Sequence, residues 1–471
     1  MNSKATNFVK VFSYTLTSNL VSMLVSALVV LIIPMLIGVE AYGYWQLYLF
    51  YSSYVGFLHF GWNDGIYLRY GGKEYKELDK KLFYSQFYML VILQLIIVII
   101  IFCVSIYIID VNKIFIFKMT ALCLFIINVR YMLLNILQTT NRIKEYAHIT
   151  MMDRVLYCCL IIAFLLFGAR EYKLMIAADL IGKSIALLYA IYCCKDIVFQ
   201  KISSFYFSIK ETIENISVGI KLMFANIASM LIIGVVRLGI EHSWDVSTFG
   251  KASLTLSISN LMILFMNTVG IIMFPILKRT NDKNLLNIYV TMRDFLMVFL
   301  IGALIIYYPL KVVLSAWLPK YTDSLMYMAL VFPMCVFEGK MALLINTYLK
   351  TLRKEKMMLN INMITLTLGI FLTFLNTILL NNLNLAIASI VFLLACRCVL
   401  SELYLSRIML IPLYKDIILE LTMVLIFILT GWFINSWLMF VLYGIAYLLY
   451  LSIKRKDISK TFENVKILMK D

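Results

Sequence analysis

Residues Ala41–Lys81 read AYGYWQLYLFYSSYVGFLHFGWNDGIYLRY and then GGKEYKELDKK. The first part is apolar, aromatic and long enough to cross a bilayer as a helix. The second is the sharpest charge run in the first half of the chain. An apolar span that stops at a basic loop fixes a membrane crossing and its direction. Asn63 and Asp64 stand inside that span, less than two helical turns from its charged end. Polar groups are costly in lipid, so both are expected to face protein or a water-filled cavity.

The same three properties recur outward from this stretch: apolar spans, basic loops on one side, and sparse polar groups inside. The chain has 471 residues, 63% hydrophobic and 14% charged, which excludes a soluble globular protein. The reading is an all-α polytopic membrane protein. Its net charge of +16 would suggest nucleic acid in a soluble chain. Here the charge sits in short loops, where orientation and anionic lipid headgroups account for it, and no nucleic-acid partner is expected. The nine cysteines lie in apolar segments without CxxC spacing and read as small core residues, with no disulfide or metal site expected. Met1–Lys10 is polar and basic, and the apolar segment after it is too long for a signal core, so no cleavable leader is expected.

Fourteen spans are predicted, near 12–37, 43–68, 83–109, 114–140, 148–168, 174–194, 216–240, 248–276, 288–308, 323–349, 358–380, 385–406, 417–434 and 437–453. They group into a six-helix lobe (1–195), a connector with amphipathic character (196–215), a second six-helix lobe (216–407), an additional helix pair (408–453) and a basic tail (454–471). With a cytoplasmic N-terminus, 27 of the 42 Lys and Arg fall in inner segments. Only Lys113, Arg170, Lys173, Lys311 and Lys320 fall outside. That bias places both termini in the cytoplasm. The external loops are short; the longest, Pro309–Thr322, is expected at the interface with Trp317 as anchor. A faint repeat links Tyr42-Gly43 to Phe249-Gly250, and Thr140-Asn141-Arg142 to Thr351-Leu352-Arg353. Two repeats of six helices share one orientation, which implies a pseudo-two-fold along the membrane normal.

Three blocks carry a family resemblance: Tyr42-Gly43-Tyr44-Trp45 after a long first helix, Gly61–Arg69 (GWNDGIYLR), and Val235–Pro275, which contains VVRLGIEHSWDVSTFGKASLTLSISN and closes in MFPIL. Together they resemble Wzx-type polysaccharide flippases (O-antigen or capsule) of the multidrug/oligosaccharidyl-lipid/polysaccharide exporter superfamily. The sequence departs from that pattern at Val236, where family members usually carry an acid before the basic residue. The added pair at 417–453 resembles the fourteen-helix peptidoglycan-precursor flippases. The resemblance implies a substrate, an oligosaccharide repeat unit on undecaprenyl diphosphate. It implies two lobes around a cavity that opens alternately to each side of the bacterial inner membrane, and no enzymatic step. A polysaccharide polymerase and a chain-length regulator are the implied candidate partners, besides membrane lipids. No cofactor is expected; a proton or sodium gradient is the candidate drive.

Such a cargo has an apolar tail, a charged linkage and a hydroxyl-rich head. Its diphosphate needs cations inside the membrane, Arg for bidentate contact and Lys as a point charge. Arg130 in the fourth span and Arg397 in the twelfth have no carboxylate within one turn on their own helices and are the first candidates for substrate binding. Lys340, Lys221, Arg237 and Asn63 complete the set. Asp64 and Glu338 are the coupling candidates, as in-span acids. Structural readings suit other charges. Asp179 and Lys183 stand at i, i+4 and are expected to pair. Asp153-Arg154 and Arg293-Asp294 begin helices on the inner side, where snorkelling suffices. Asn128, Asn135, Asn226, Asn260, Asn267, Asn346 and Asn362 fit a wet path or helix-packing hydrogen bonds.

Three alternatives compete, one transporter on the same architecture and two enzymes. A multidrug or organic-cation exporter would favour a cavity rich in carboxylates, whereas interior cations dominate here. A membrane O-acyltransferase needs an intramembrane base, for which His59 is the single plausible residue. A polysaccharide polymerase would display a large external loop, and these loops are too short.

Overall fold

The computed structural model describes residues 3–278, 282–434 and 436–460, and the secondary structure of those residues is entirely helical. In the first half lie α1 (Ser3–Leu36), α2 (Val39–Tyr54), α3 (Trp62–Arg69), α4 (Lys80–Ser105), α5 (Val111–Thr139), α6 (Ile143–Leu166), α7 (Tyr172–Cys193), the single turn α8 (Lys195–Val198) and α9 (Ile209–Ser243). Then follow α10 (Val246–Lys278), α11 (Asp282–Ala303), α12 (Tyr307–Trp317), α13 (Thr322–Leu325), α14 (Met328–Val331), α15 (Met334–Lys340) and α16 (Asn346–Thr351). The chain closes with α17 (Glu355–Thr373), α18 (Leu383–Met409), α19 (Tyr414–Phe433) and α20 (Leu438–Ile453). Among the described residues, ten helical stretches are long and apolar enough to cross a membrane, and Leu20–Leu36 and Leu438–Ile453 are shorter apolar helices. With α10 and the broken second span, this is the fourteen-helix layout of a multi-span membrane protein. The side chains of Asn267 and of the MFPIL segment, Asn435, and the tail beyond Lys460 lie outside the described residues.

Packing divides the chain into Met1–Ile227 and Ala228–Asp471. The sequence reading put the connector at 196–215; α9 begins inside it at Ile209, and the division falls within α9. In the first unit α5 is the central helix, packed on α2, α3, α4, α6 and α7. Its Val129, Met132, Leu133, Ile136 and Leu137 meet Phe83, Phe87 and Leu90 of α4 and Ala186 and Ala190 of α7. Hydropathy and burial run in opposite senses here. The α4 window has mean hydropathy 3.1 and is 17% buried, while the α5 window has 1.8 and is 72% buried. Lipid is as apolar as Leu, so the most apolar helices face it, and the helices that carry polar groups are enclosed by protein. In the second unit Met328–Thr351 is the enclosed stretch, 89% buried.

Several predicted spans are not single helices. The span 43–68 is broken: α2 ends at Tyr54, a 3₁₀ turn follows at Val55–Phe57, and α3 restarts at Trp62. Phe60 (φ 53°) and Gly61 (φ 83°) turn the chain through the left-handed region between them. Such a break exposes backbone groups, and polar side chains satisfy them: Gln94 donates to the Leu58 carbonyl at 3.2 Å and Asn128 to the Val55 carbonyl at 3.0 Å. The span 323–349 is segmented into α13, α14, α15 and α16. Pro333 lacks the N–H that would continue the helix, and a π-helical turn at Met341–Ile345 inserts an extra residue. The span expected to stop at 308 runs on as α12, so most of the expected external loop is helical; its Trp317 remains 45% exposed.

The repeat pairs occupy matching places. Tyr42-Gly43 and Phe249-Gly250 lie in the first turns of α2 and α10, not between helices as the sequence suggested. Asn141 (φ 61°) and Arg353 (φ 52°) each take the left-handed conformation just past α5 and α16. In the turn before α10, Asp245 accepts from the Thr248 hydroxyl and backbone N–H. These bonds, the Thr248 hydroxyl foremost, hold its carboxyl below the usual carboxylate range.

Candidate functional site

Polar groups inside the first unit are drawn together by α5. Arg130, 7% exposed, pairs with Asp153 of α6, Nη1 to Oδ2 at 2.9 Å. The sequence showed no acid on its own helix; the short Thr140–Arg142 turn brings one from the next. The pair is out of line for a hydrogen bond, and Nη1 and Nε of Arg130 have no acceptor. The guanidinium is thus neutralised but not saturated. Two turns of α5 supply the amides Asn128 and Asn135. Asn63, fully buried, donates to the Asn128 carbonyl at 3.0 Å, and Asn135 donates to the Asn63 carbonyl at 2.9 Å. Asn63 therefore ties α3 to α5, while its Oδ1 has no partner. Asp179 is held by Lys183, the pair read from the i, i+4 spacing, and accepts from Tyr48 at 2.6 Å.

The other candidates of this unit stand at its margins. Asp64 lies in the first turn of α3 with a side chain 22% exposed, 3.8 Å from His59 Nε2. Lys221 is exposed on α9. Where α3 crosses α9 the backbones touch: a Cβ on Gly65 would lie 1.8 Å from the Asn215 carbonyl oxygen, and one on Gly219 2.0 Å from the Gly61 oxygen. Small residues let helices approach this closely in membranes. Polar contacts flank the crossing. Arg69 donates to Asn215 at 2.6 Å and pairs with Glu211 at 2.5 Å and Glu214 at 2.7 Å. Trp62 and Asn215 both donate to the side-chain Oε1 of Gln86, at 2.7 and 3.2 Å.

In the second unit Arg397 of α18 pairs with Glu338 of α15 at 2.6 Å and donates to Ser229 of α9 at 2.7 Å; its Nε has no acceptor. A candidate for binding and a candidate for coupling thus neutralise one another. Arg237 donates to Ser253 at 3.0 Å, with its guanidinium 5.3 Å from the Phe249 ring centre.

Lys340 is 1% exposed and enclosed by carboxylates, Glu402 of α18 at 2.5 Å and Glu420 of α19 at 2.7 Å. The sequence made it a substrate-facing cation; the charge is spent within the fold. Its neighbour in the cluster is Arg293 of α11, also 1% exposed, which donates to Glu402 at 2.7 Å and Glu420 at 2.6 Å and lies 3.2 Å from Asp416. Arg293 does not snorkel, as its place near a helix start suggested; four carboxylates from three helices enclose it. Lys454, just past α20, completes the network with Asp416 at 2.6 Å, Asp457 at 3.0 Å and Asp294 at 3.1 Å. The cluster joins α11, α15, α18, α19 and the end of α20. Glu420, Asp416 and Lys454 were passed over in the sequence. The available signal was Glu420, an acid four residues inside an otherwise apolar span.

No family model and no curated relative matches the chain. Solved structures do. The chain is similar to the lipid II flippase MurJ in an inward closed conformation, with TM-score 0.66 and 16% identity over 95% of this chain and 99% of that one. It is also similar to a multidrug resistance MATE family transporter of the MOP superfamily in an inward-facing conformation (TM-score 0.60, 13% identity, 81% of this chain and 98% of that one). An outward-facing form of such a transporter matches with TM-score 0.58 at 13% identity, over 85% of this chain and 95% of that one. At these identities the likeness is one of fold. The chain is a multi-span helical membrane protein with the fold of these transporters and flippases.

Proposed function

We propose that the chain is a flippase that moves undecaprenyl-diphosphate-linked oligosaccharide units across the bacterial cytoplasmic membrane for surface polysaccharide synthesis. The observation that carries this reading is extent. The flippase neighbour matches 95% of the chain, whereas the multidrug transporters match 81–86%. The shortfall is about the size of the segment after α18, which favours a lipid-linked cargo over a small cation. The chemistry agrees with it. Arg130 and Arg397 are buried guanidiniums with donors to spare, and a diphosphate offers the oxygen acceptors that complete them. Deleting the gene is expected to leave lipid-linked oligosaccharide accumulated inside the cell and to remove surface polymer. Normal surface polymer in the deletion strain would overturn the reading. The second reading, an organic-cation exporter, rests on the multidrug transporter likeness; it predicts efflux of cationic dyes, with polymer unchanged.

Residue tests follow from the ion pairs. Arg130→Lys and Arg397→Lys keep a charge opposite Asp153 and Glu338 but lose the planar fork. Both variants are expected to accumulate normally and to export polymer about ten-fold more slowly, the effect of one charge-assisted contact of roughly 1.5 kcal/mol. Full export in both would assign these arginines to structure alone.

Orientation is proposed from the loop charges, with both termini cytoplasmic. On a cysteine-free background, single cysteines placed in 241–247 are expected to react with an impermeant maleimide from outside, and those in 350–356 only after the cell is opened. The reverse pattern would invert the topology.

A further inference from the structure

The break in the second span holds a histidine and a carboxylate that the ion-pair networks leave aside. His59 is 4% exposed, and its Nδ1 accepts the Gly61 N–H at 3.0 Å. That bond fixes the neutral tautomer: the ring proton is on Nε2. Nε2 lies 3.8 Å from Asp64 Oδ2. Among the described residues, no Lys or Arg nitrogen comes within 4.0 Å of the Asp64 carboxylate. The surrounding elements meet the break with neutral groups: Gln94 from α4, Asn128 and Asn135 from α5, and the Gly219 and Ile220 backbone from α9. Several of the charges those elements carry are engaged elsewhere or exposed. Arg130 pairs with Asp153, Arg69 with Glu211 and Glu214, and Lys221 is exposed.

We propose that His59 and Asp64 form one proton-binding unit at this break, with Asp64 as the acceptor and His59 as the residue that positions it. This rests on the transport reading above and names its coupling ion. The step is a simple protonation: a proton from water joins one Asp64 oxygen and later leaves from it, with no other bond changed. A sodium ion is disfavoured by the donor set, because hard cations take shells of oxygen ligands and here an imidazole nitrogen stands 3.8 Å from the carboxylate. The unit also sits where it can act. Ionised Asp64 attracts the Nε2–H across the turn formed by Phe60 and Gly61, and protonated Asp64 does not. Protonation therefore changes the force between α3 and the segment that ends α2, at residues whose left-handed conformations already make this the bend of the span.

The test is infrared difference spectroscopy of the purified full-length protein in lipid, titrated between about pH 4 and pH 8, which brackets ordinary carboxyl and imidazole titration. A protonated-carboxyl C=O band is expected on acidification. It should be lost in Asp64→Asn and shifted in frequency in His59→Gln, because the group facing the carboxyl has changed. Replacing potassium by sodium should leave it unmoved. A band that persists in Asp64→Asn, a His59→Gln spectrum identical to wild type, or a titration displaced by sodium would each overturn the proposal. The transport reading fails separately: polymer export that is normal without the gene, alongside an intact Asp64 band, would remove the flippase and leave the proton site standing.

Discussion

Lys340→Met is expected to abolish accumulation of the folded protein, although it replaces a charge inside a membrane by a side chain lipid would accept. Lys340 is enclosed with Arg293, Glu402 and Glu420, and each carboxylate faces both cations. Removing one cation leaves two carboxylates on one guanidinium with no water to solvate the excess charge. Breaking a buried pair from one side costs about 3–5 kcal/mol, a large share of the stability of any domain. Removing charge from both sides is different. The double variant Lys340→Met with Glu420→Gln restores neutrality around Arg293 and Glu402. It is expected to recover most of the folded protein, measured by size-exclusion profile and thermal unfolding in detergent. Equal loss in the single and double variants would show that the individual contacts matter, not the charge balance.

Gly65→Ala is expected to be nearly as damaging, for a reason with no electrostatics in it. The added methyl would lie 1.8 Å from a backbone oxygen, so no rotamer change relieves it and α3 must withdraw from α9. Overpacking costs about 1–3 kcal/mol when side chains can yield; here both sides are main chain, which places Gly65 at the upper end of that range. Withdrawal would also part Arg69 from Glu211 and Glu214, and Asn215 from Gln86. Gly444→Ala is the control, because nothing lies within 4 Å of its added methyl. Thermal unfolding should fall sharply for the first variant and hold for the second. A tolerated Gly65→Ala would mean that the crossing is looser than its geometry.

The number and place of the spans were legible in the sequence because each carries its own signal, a run of apolar residues between charged loops. What breaks them was less legible. Asn63 and Asp64 marked the second span as unusual, but the turn at Phe60 and Gly61 depends on Gln94 and Asn128, supplied by other helices. The candidate cations were identified one by one, and their partners were not. Asp153 for Arg130 and Glu338 for Arg397 come from different helices, and pairing across helices leaves no spacing to read. Asp179 and Lys183 were legible as a pair because both stand on one helix. The cluster around Arg293 is the extreme case. Its members come from five elements; Arg293 read as a charge near a helix start, where snorkelling would serve, and Lys340 as a cation facing the substrate.

The same spread has a consequence for how the protein is made. Glu402 follows Arg293 by 109 residues and Glu420 by 127. At a synthesis rate of roughly 5–20 residues per second, Arg293 waits on the order of ten seconds for its carboxylates. Lys340 leaves the ribosome within that interval, and Lys454 arrives last. For that time the growing chain must keep two cations at the membrane's edge or in an insertion chaperone, because Glu402 and Glu420, which both of them face, are not yet made. The second unit therefore closes from its C-terminal end, and a chain stopped short of α19 remains an unfinished assembly with cations awaiting their acids.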